Sequence, residues 1–314
     1  MKAGLEFTPD LFSVAAKEDR NKEKIHRPSI KYWPDVWRRL KMNHLAMTGL
    51  ILIAILSIMA FVGTEINGFK YFEQNYELIN VHPDGVHWFG TDELGRDLFT
   101  RIWYGTRYSL FIGVMAALID FTIGVLYGGI AGISRRNTDA IMMRIAEVIY
   151  SIPYLLVVIL ISVVFTQAGQ GSSLFVLIFA LTLTDWVPMA ILVRGQVLQL
   201  KESEYALASE SIGATKGWIL RKHIIPNALG PILVNVTLTI PRAIFAEATL
   251  SFIGLGIQAP RSSLGALAND GLAGLPVGNA YQILIPAIFI SLTMFAFNVL
   301  GDGFRDALDP RLRK

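Results

Sequence analysis

Six apolar stretches, each long enough to cross a bilayer, constrain this chain more than any other feature: roughly 45 to 66, 108 to 131, 142 to 166, 173 to 194, 228 to 253 and 280 to 301. A hydrocarbon layer of about 30 Å takes about 20 residues of helix to cross, and a helix satisfies its backbone donors and acceptors without water. Turn residues or charges separate the runs. Hydrophobic residues fill 53% of 314 positions and charged residues only 17%, an excess that a soluble core does not require. The expected fold class is all-α, a polytopic membrane protein with six transmembrane helices.

Charge decides which way such a chain threads, because Lys and Arg accumulate on the cytoplasmic side. With the N-terminus inside, 22 of the 28 basic residues lie on the inner face. Lys70, Arg96, Arg101, Arg107 and Arg261 lie outside, and Arg242 falls within a span. Both termini are therefore expected in the cytoplasm. The organisation reads as a cytoplasmic tail with an interfacial helix (1–44), the first span (45–66) and an extracellular loop (67–107). A five-span core (108–301) follows, containing a cytoplasmic loop at 195–227, and then a cytoplasmic tail (302–314). The first 28 residues are polar, with no apolar run after Met1, and so do not read as a cleaved secretory signal. From Ser29 to His44, Trp33, Trp37 and Leu40 recur at helical steps beside Arg38, Arg39 and Lys41, a pattern suited to a helix lying in the membrane surface.

Residues 204 to 226, EYALASESIGATKGWILRKHIIP, form a polar break between apolar runs. Ser203 to Ile212 is rich in helix formers, Gly213 supplies a stop, and a second short helix is expected from Lys216 to His223, ending before Pro226. The result is a two-helix knuckle. In the 67–107 loop, Gly90, Thr91 and Asp92 read as a turn and cap, which places Asp92 and Glu93 at the positive end of the next helix. Arg96 is expected to pair with Asp97. DELGRD lacks the alternating oxygen ligands of a calcium loop, so no metal site is read there.

Charged side chains inside spans are costly, about 2.5 to 3.5 kcal/mol at the bilayer centre, so Asp120, Glu147, Asp185, Arg242 and Glu247 are expected to face protein or water. Asp120, Asp185, Arg242 and Glu247 are the candidate pathway or intersubunit polar residues. Arg242 and Glu247 are five apart, about 140° around a helix, and do not pair within it. Pro153, Pro188, Pro231, Pro241 and Pro286 permit bends, and Gly113, Gly124, Gly128 and Gly129 permit close helix approach. The chain has no cysteine and none of the patterns GxxxxGK[ST], HExxH or GxSxG, so no catalytic residues are assigned. Two other classes stay open on the residues alone. One is an ion-coupled secondary transporter titrating Asp120, Asp185 and Glu247; the other is a membrane anchor whose basic N-terminal segment and knuckle are interaction surfaces.

The knuckle resembles the EAA loop of ATP-binding cassette (ABC) importer permeases, whose pattern runs Glu-Ala-Ala, three residues, Gly, nine residues, Ile-x-Leu-Pro. Gly213 and Pro226 keep that spacing and Ala208 matches the first alanine, whereas Leu207, Ser209, His223 and Ile225 depart from it. Four segments together resemble the dipeptide, oligopeptide and nickel permease family. They are RKHIIPN at 221–227, GTDELGRD at 90–97 with Gly105, Arg107, Ser109 and Leu110 behind it, LSFIGLGIQAP at 250–260, and LGDGFRDALDPRL at 300–312. Leu264 stands where the family commonly has tryptophan.

The resemblance implies a type I ABC importer permease fold in a prokaryotic cell membrane, with both termini cytoplasmic and lipid around the spans. It implies a heterodimer with a second, related permease subunit and two cytoplasmic ATPase subunits carrying ATP and Mg. An extracellular substrate-binding protein would deliver short peptides to the mouth near the 67–107 and 254–279 loops, with nickel chelates or another small solute as the alternative cargo. This chain itself would hold no cofactor or metal and would meet no nucleic acid. The resemblance places the ATPase contact at Ser209, Ile212, Gly213, Ala214, Thr215 and Lys216.

Overall fold

The computed structural model describes residues 32–167, 174–257 and 259–308. The first 28 residues, Gln258 of the LSFIGLGIQAP segment and residues 309–312 of the family-like ending lie outside them. A short α1 (Tyr32–Met42) precedes α2 (His44–Ile66), and α3 (Leu98–Ile133) follows a long connection. Next come α4 (Arg136–Ser151), α5 (Tyr154–Gln167) and α6 (Leu174–Leu200). The knuckle contributes α7 (Glu204–Ser211) and α8 (Lys216–Ile219), which leads through a π-helical turn (Leu220–Ile224) into α9 (Ile225–Phe252). A short α10 (Leu264–Asp270) and α11 (Tyr281–Leu308) complete the described chain.

Among the described residues, five helical stretches are long and apolar enough to span, α2, α3, α8 to α9, α6 and α11, and α4 with α5 makes a sixth if counted as one broken span. The third apolar run is therefore not the straight helix expected over 142–166. It bends by 74° between Ser151 and Tyr154, where Pro153 removes a donor and disfavours helix in the residue before it. The second helix begins at Leu98, ten residues ahead of its apolar run, and carries Arg101 and Arg107. The fourth runs on to Leu200, past the expected end at 194. Hydropathy locates the part of a helix that meets lipid, whereas its ends are set by caps and packing.

Pro226 does not end the second knuckle helix. The Ile225 N–H donates to the Leu220 carbonyl five residues back, so the turn ahead of the proline is widened. Pro226 then falls in the first turn of α9, where a missing N–H costs little. The consequence is one continuous rod from Lys216 to Phe252.

Close approach of α3 to α6 forms the centre of the bundle. A Cβ on Gly124 would stand 2.5 Å from the Met189 side chain, and one on Gly128 only 2.2 Å from the Ala190 carbonyl oxygen. Gly132, absent from the sequence-based set, meets Val197 in the same way at 2.7 Å, whereas Gly129 has 3.5 Å of clearance. Backbone atoms cannot rotate aside. Gly128→Val is therefore expected to cost about 3 kcal/mol, from overpacking. For the control, Gly195→Val, an added Cβ meets nothing within 4 Å among the described residues, and stability should change by under about 0.5 kcal/mol. Thermal unfolding of the detergent-solubilised protein measures both.

At the knuckle end, α1 folds back on the bundle. Val36 and Leu40 are buried against Ala46, Phe304, Ala307 and Leu308, while Trp33 and Trp37 stay exposed. Leu40 thus parts company with the two tryptophans: it faces protein, and they face outward as an interfacial helix requires.

At the opposite end the connection 67–97 closes over the bundle, held by a buried ionic knot. Asp92 accepts from the backbone N–H groups of Leu94 and Arg96, from Arg96 Nε at 2.7 Å and from Arg101 Nη1, and Arg101 Nη2 reaches Asp270 at 3.2 Å. Arg96 therefore pairs with Asp92 and not with Asp97. Asp97, not Asp92, caps α3, accepting from Thr100 N–H at 2.8 Å and from the buried His87 ring at 2.9 Å. Asp92 sits five residues too early to reach the orphan donors of that helix. Nearby, the backbone N–H groups of His87 and Val86 hold the Asp84 carboxyl below the usual carboxylate range.

The letters of GTDELGRD now acquire separate physical jobs. Gly90 (φ +74) and Gly95 (φ +68) lie in left-handed backbone, and a Cβ on Gly95 would collide with the Asn75 carbonyl at 1.8 Å. Thr91 Oγ1 donates to the Leu78 carbonyl and accepts from Val81 N–H. Tyr281 and Gln282 of α11 both donate to the Thr91 carbonyl, at 2.9 Å each.

Candidate functional site

The knuckle is built from a helix stop, a cap and a packed underside. Gly213 (φ +92) follows α7 with its N–H on the Glu210 carbonyl at 2.9 Å, and Ala214 N–H bonds to the Ser209 carbonyl at 3.0 Å. That pair of bonds is a Schellman stop, which favours glycine at the left-handed position. A Cβ on Gly213 meets nothing within 4 Å among the described residues, so the requirement is conformational, not steric. Thr215 Oγ1 then caps α8 by accepting from Trp218 N–H at 3.4 Å, with extended backbone at φ −73 and ψ 149.

The underside is apolar and continuous with the bundle. Ala206, Ile219, Ile224 and Ala228 are buried with Met189, Val193 and Val197 of α6, and Ala214 and Leu220 pack at the edge. Arg194 of α6 holds Asp139 of α4 through two bonds of 2.5 and 2.6 Å, and Lys201 Nζ reaches the Gly132 carbonyl at 3.2 Å. Four helices therefore meet beneath the knuckle. Its outer surface is different: Ile212 is 87% exposed, with Leu207 and Trp218 about half exposed beside it. Of the six residues assigned to the ATPase contact, Ile212, Gly213, Thr215 and Lys216 face outward, while Ser209 and Ala214 are half-buried.

The candidate polar residues within the spans divide. Asp120 (α3), Asp185 (α6) and Arg242 (α9) line one cavity of about 190 Å³ with Asn235, Thr239 and Tyr150. Glu247 is elsewhere, fully buried, accepting from Ser109 Oγ at 3.0 Å and Ser251 Oγ at 2.6 Å. Ser109 Oγ also accepts from Leu264 N–H, and Ser263 Oγ donates to Ser251, so Glu247 ties α3 and α9 to the start of α10. Leu264 at the position noted above is buried in that junction. Glu147 is exposed on α4 with Arg144 at 3.2 Å. Sequence spacing did not reveal the serine cage, because Ser109, Ser251 and Ser263 come from segments far apart along the chain and share only a hydroxyl.

A helical bundle with a two-helix knuckle joined to its central spans is the architecture of ABC importer permeases. In the inward-facing MetNI methionine ABC transporter, a chain 21% identical to this one aligns over 65% of this chain and 94% of its own length with a TM-score of 0.52. A second crystal form of that transporter gives 0.51, with 68% and 96% covered. The fold is thus the type I importer permease fold.

The chain belongs to the family of binding-protein-dependent transport system inner membrane components, whose model matches residues 124–314. Residues 31–83 match the N-terminal transmembrane domain of oligopeptide transport permease C. The dipeptide transport system permease protein DppC of Bacillus subtilis is 55% identical over 98% of this chain and 94% of its own length. The oligopeptide transport system permease protein OppC of the same organism is 49% identical, over 97% and 98%. This is a multi-pass membrane protein. It is a non-catalytic subunit that works with a separate ATPase, and neither the family nor the fold places a cofactor in it.

Proposed function

We propose that this chain is the peptide-conducting permease subunit of an ATP-driven importer in a prokaryotic cytoplasmic membrane. It pairs with a second, related permease, and the two carry a pair of cytoplasmic ATPases that bind ATP and Mg. An extracellular binding protein delivers di- or oligopeptides to the mouth bordered by the 67–97 connection and the 254–279 segment. The knuckle lies in the cytoplasm with both termini, as the distribution of basic residues favours. Ser209, Ile212, Gly213, Ala214, Thr215 and Lys216 form the ATPase contact.

One observation carries the coupling mechanism: the knuckle's apolar underside is the same packed cluster that holds α6 against α9. Packed interiors are stiff, so displacement of the knuckle by ATPases closing on nucleotide moves these spans as a body. The rod from Lys216 to Phe252 reaches the other end of the bundle, where Glu247 and Ser251 hold α3 and α10. Closure at one face is thereby linked to opening at the other. No bond in the cargo changes. Peptide is favoured over nickel chelates because the relatives at 55% and 49% identity carry dipeptide and oligopeptide permease names.

The test is reconstitution of the four membrane-associated subunits in liposomes with the binding protein. Uptake of radiolabelled dialanine is expected to require ATP and to survive a proton ionophore. Accumulation driven by a proton gradient without ATP would refute the assignment, as would transport of nickel chelates with none of dialanine.

A further inference from the structure

Halfway along α9, Asn235, Thr239 and Arg242 recur at four and three residue steps and so share one face. Arg242 is exposed on that face. Hydrocarbon does not solvate a guanidinium, so this face of a spanning helix meets water or another chain. Across from it stand Asp120 of α3 and Asp185 of α6, lining the same cavity. Asp120 is 2% exposed, and its Oδ1 has no hydrogen-bond partner among the described residues.

Arg242 does not fill that vacancy. Its Nε donates to the Leu238 carbonyl at 3.1 Å and its Nη2 to Asn235 Oδ1 at 3.0 Å, so its own helix holds it back. The contrast with Arg194, which grips Asp139 through two short bonds, separates a structural ion pair from charges kept apart around an open space.

The geometry points to a transient binding site for the charged ends of a peptide in transit, the terminal ammonium at Asp120 and Asp185 and the terminal carboxylate at Arg242. This inference rests on the peptide-permease reading above. An ammonium brings three donors and is matched by two carboxylates, one of them with a free oxygen. A carboxylate fits the remaining guanidinium donors. Because an unmodified dipeptide carries both ends close together, such a site holds it without reading its side chains.

The proteoliposome assembly with saturating binding protein tests it, using dialanine as the probe. Asp120→Asn combined with Asp185→Asn, or Arg242→Gln alone, is expected to lower dialanine uptake per ATP hydrolysed roughly tenfold. Stimulation of ATP hydrolysis by the binding protein and co-purification of the sibling permease should stay within about twofold. If the double variant does not fold, the isosteric Asp120→Asn alone is expected to give roughly a fivefold loss. Wild-type uptake in the variants overturns the site. Loss of the sibling permease overturns it too, by making the cavity an intersubunit contact. A wild-type assembly that hydrolyses ATP and moves no dialanine at all instead overturns the peptide reading, which the comparison of variants with wild type keeps distinct.

Discussion

Arg101→Leu is expected to destabilise the cap formed by the 67–97 connection by about 3 kcal/mol. The arginine is 1% exposed and binds Asp92 and Asp270 at once, so its removal leaves Arg96, at 2.7 Å from Asp92 and 3.6 Å from Asp270, to balance both carboxylates alone. Coulomb attraction at the buried Asp92 is weakened while the desolvation of that acid remains; Asp270, 35% exposed, keeps contact with water. Arg101→Lys should recover little, because an ammonium on a flexible stem does not present a planar fork to two separate acids. The measurement is thermal unfolding of the purified protein, with protease sensitivity of the 67–97 connection as a local readout. A melting temperature within about 1 °C of wild type would show that the knot contributes nothing.

The second large effect belongs to the knuckle. Ile212→Asp should leave the fold intact, since the side chain is 87% exposed, yet reduce ATP-dependent uptake at least tenfold by placing a charge at the centre of the proposed ATPase contact. Gly213 separates conformation from surface chemistry. Gly213→Ala forces a Cβ into left-handed backbone at a cost of about 1 to 2 kcal/mol, whereas Gly213→Asn, which tolerates that region, should retain most activity. Uptake and ATPase co-purification are read together. If Ile212→Asp assembled and transported like wild type, the ATPase contact would lie elsewhere on the knuckle.

Much of this architecture was legible in the residues. Apolar run length placed the spans, and Gly213 between two helix-forming segments marked the knuckle, because backbone conformation at such a stop is a local property. The four charged candidates within spans were also visible, since burying a charge in lipid is costly wherever it occurs. What could not be read was their partition. Asp120, Asp185 and Arg242 come from helices up to 122 positions apart, and only packing brings them to one cavity while sending Glu247 to a cage of serines.

The same division explains the corrections. Asp92 looked like a helix cap because Gly-Thr-Asp is a capping string, but Asp97 occupies the cap and frees Asp92 to gather Arg96 and Arg101. Pro226 looked like a helix end because a proline in an ordinary α-turn clashes with the preceding turn. A widened turn removes the conflict, and neighbouring helices stabilise it. Composition, periodicity and turn chemistry are one-dimensional, so the sequence by itself determined membrane crossing, the break at 204–226 and the family. Which buried charges meet, and whether the knuckle is loosely tethered or welded to α6 and α9, depends on contacts distant along the chain. Those were decided only when the helices packed, because desolvated polar groups take whichever partners the tertiary fold puts within reach.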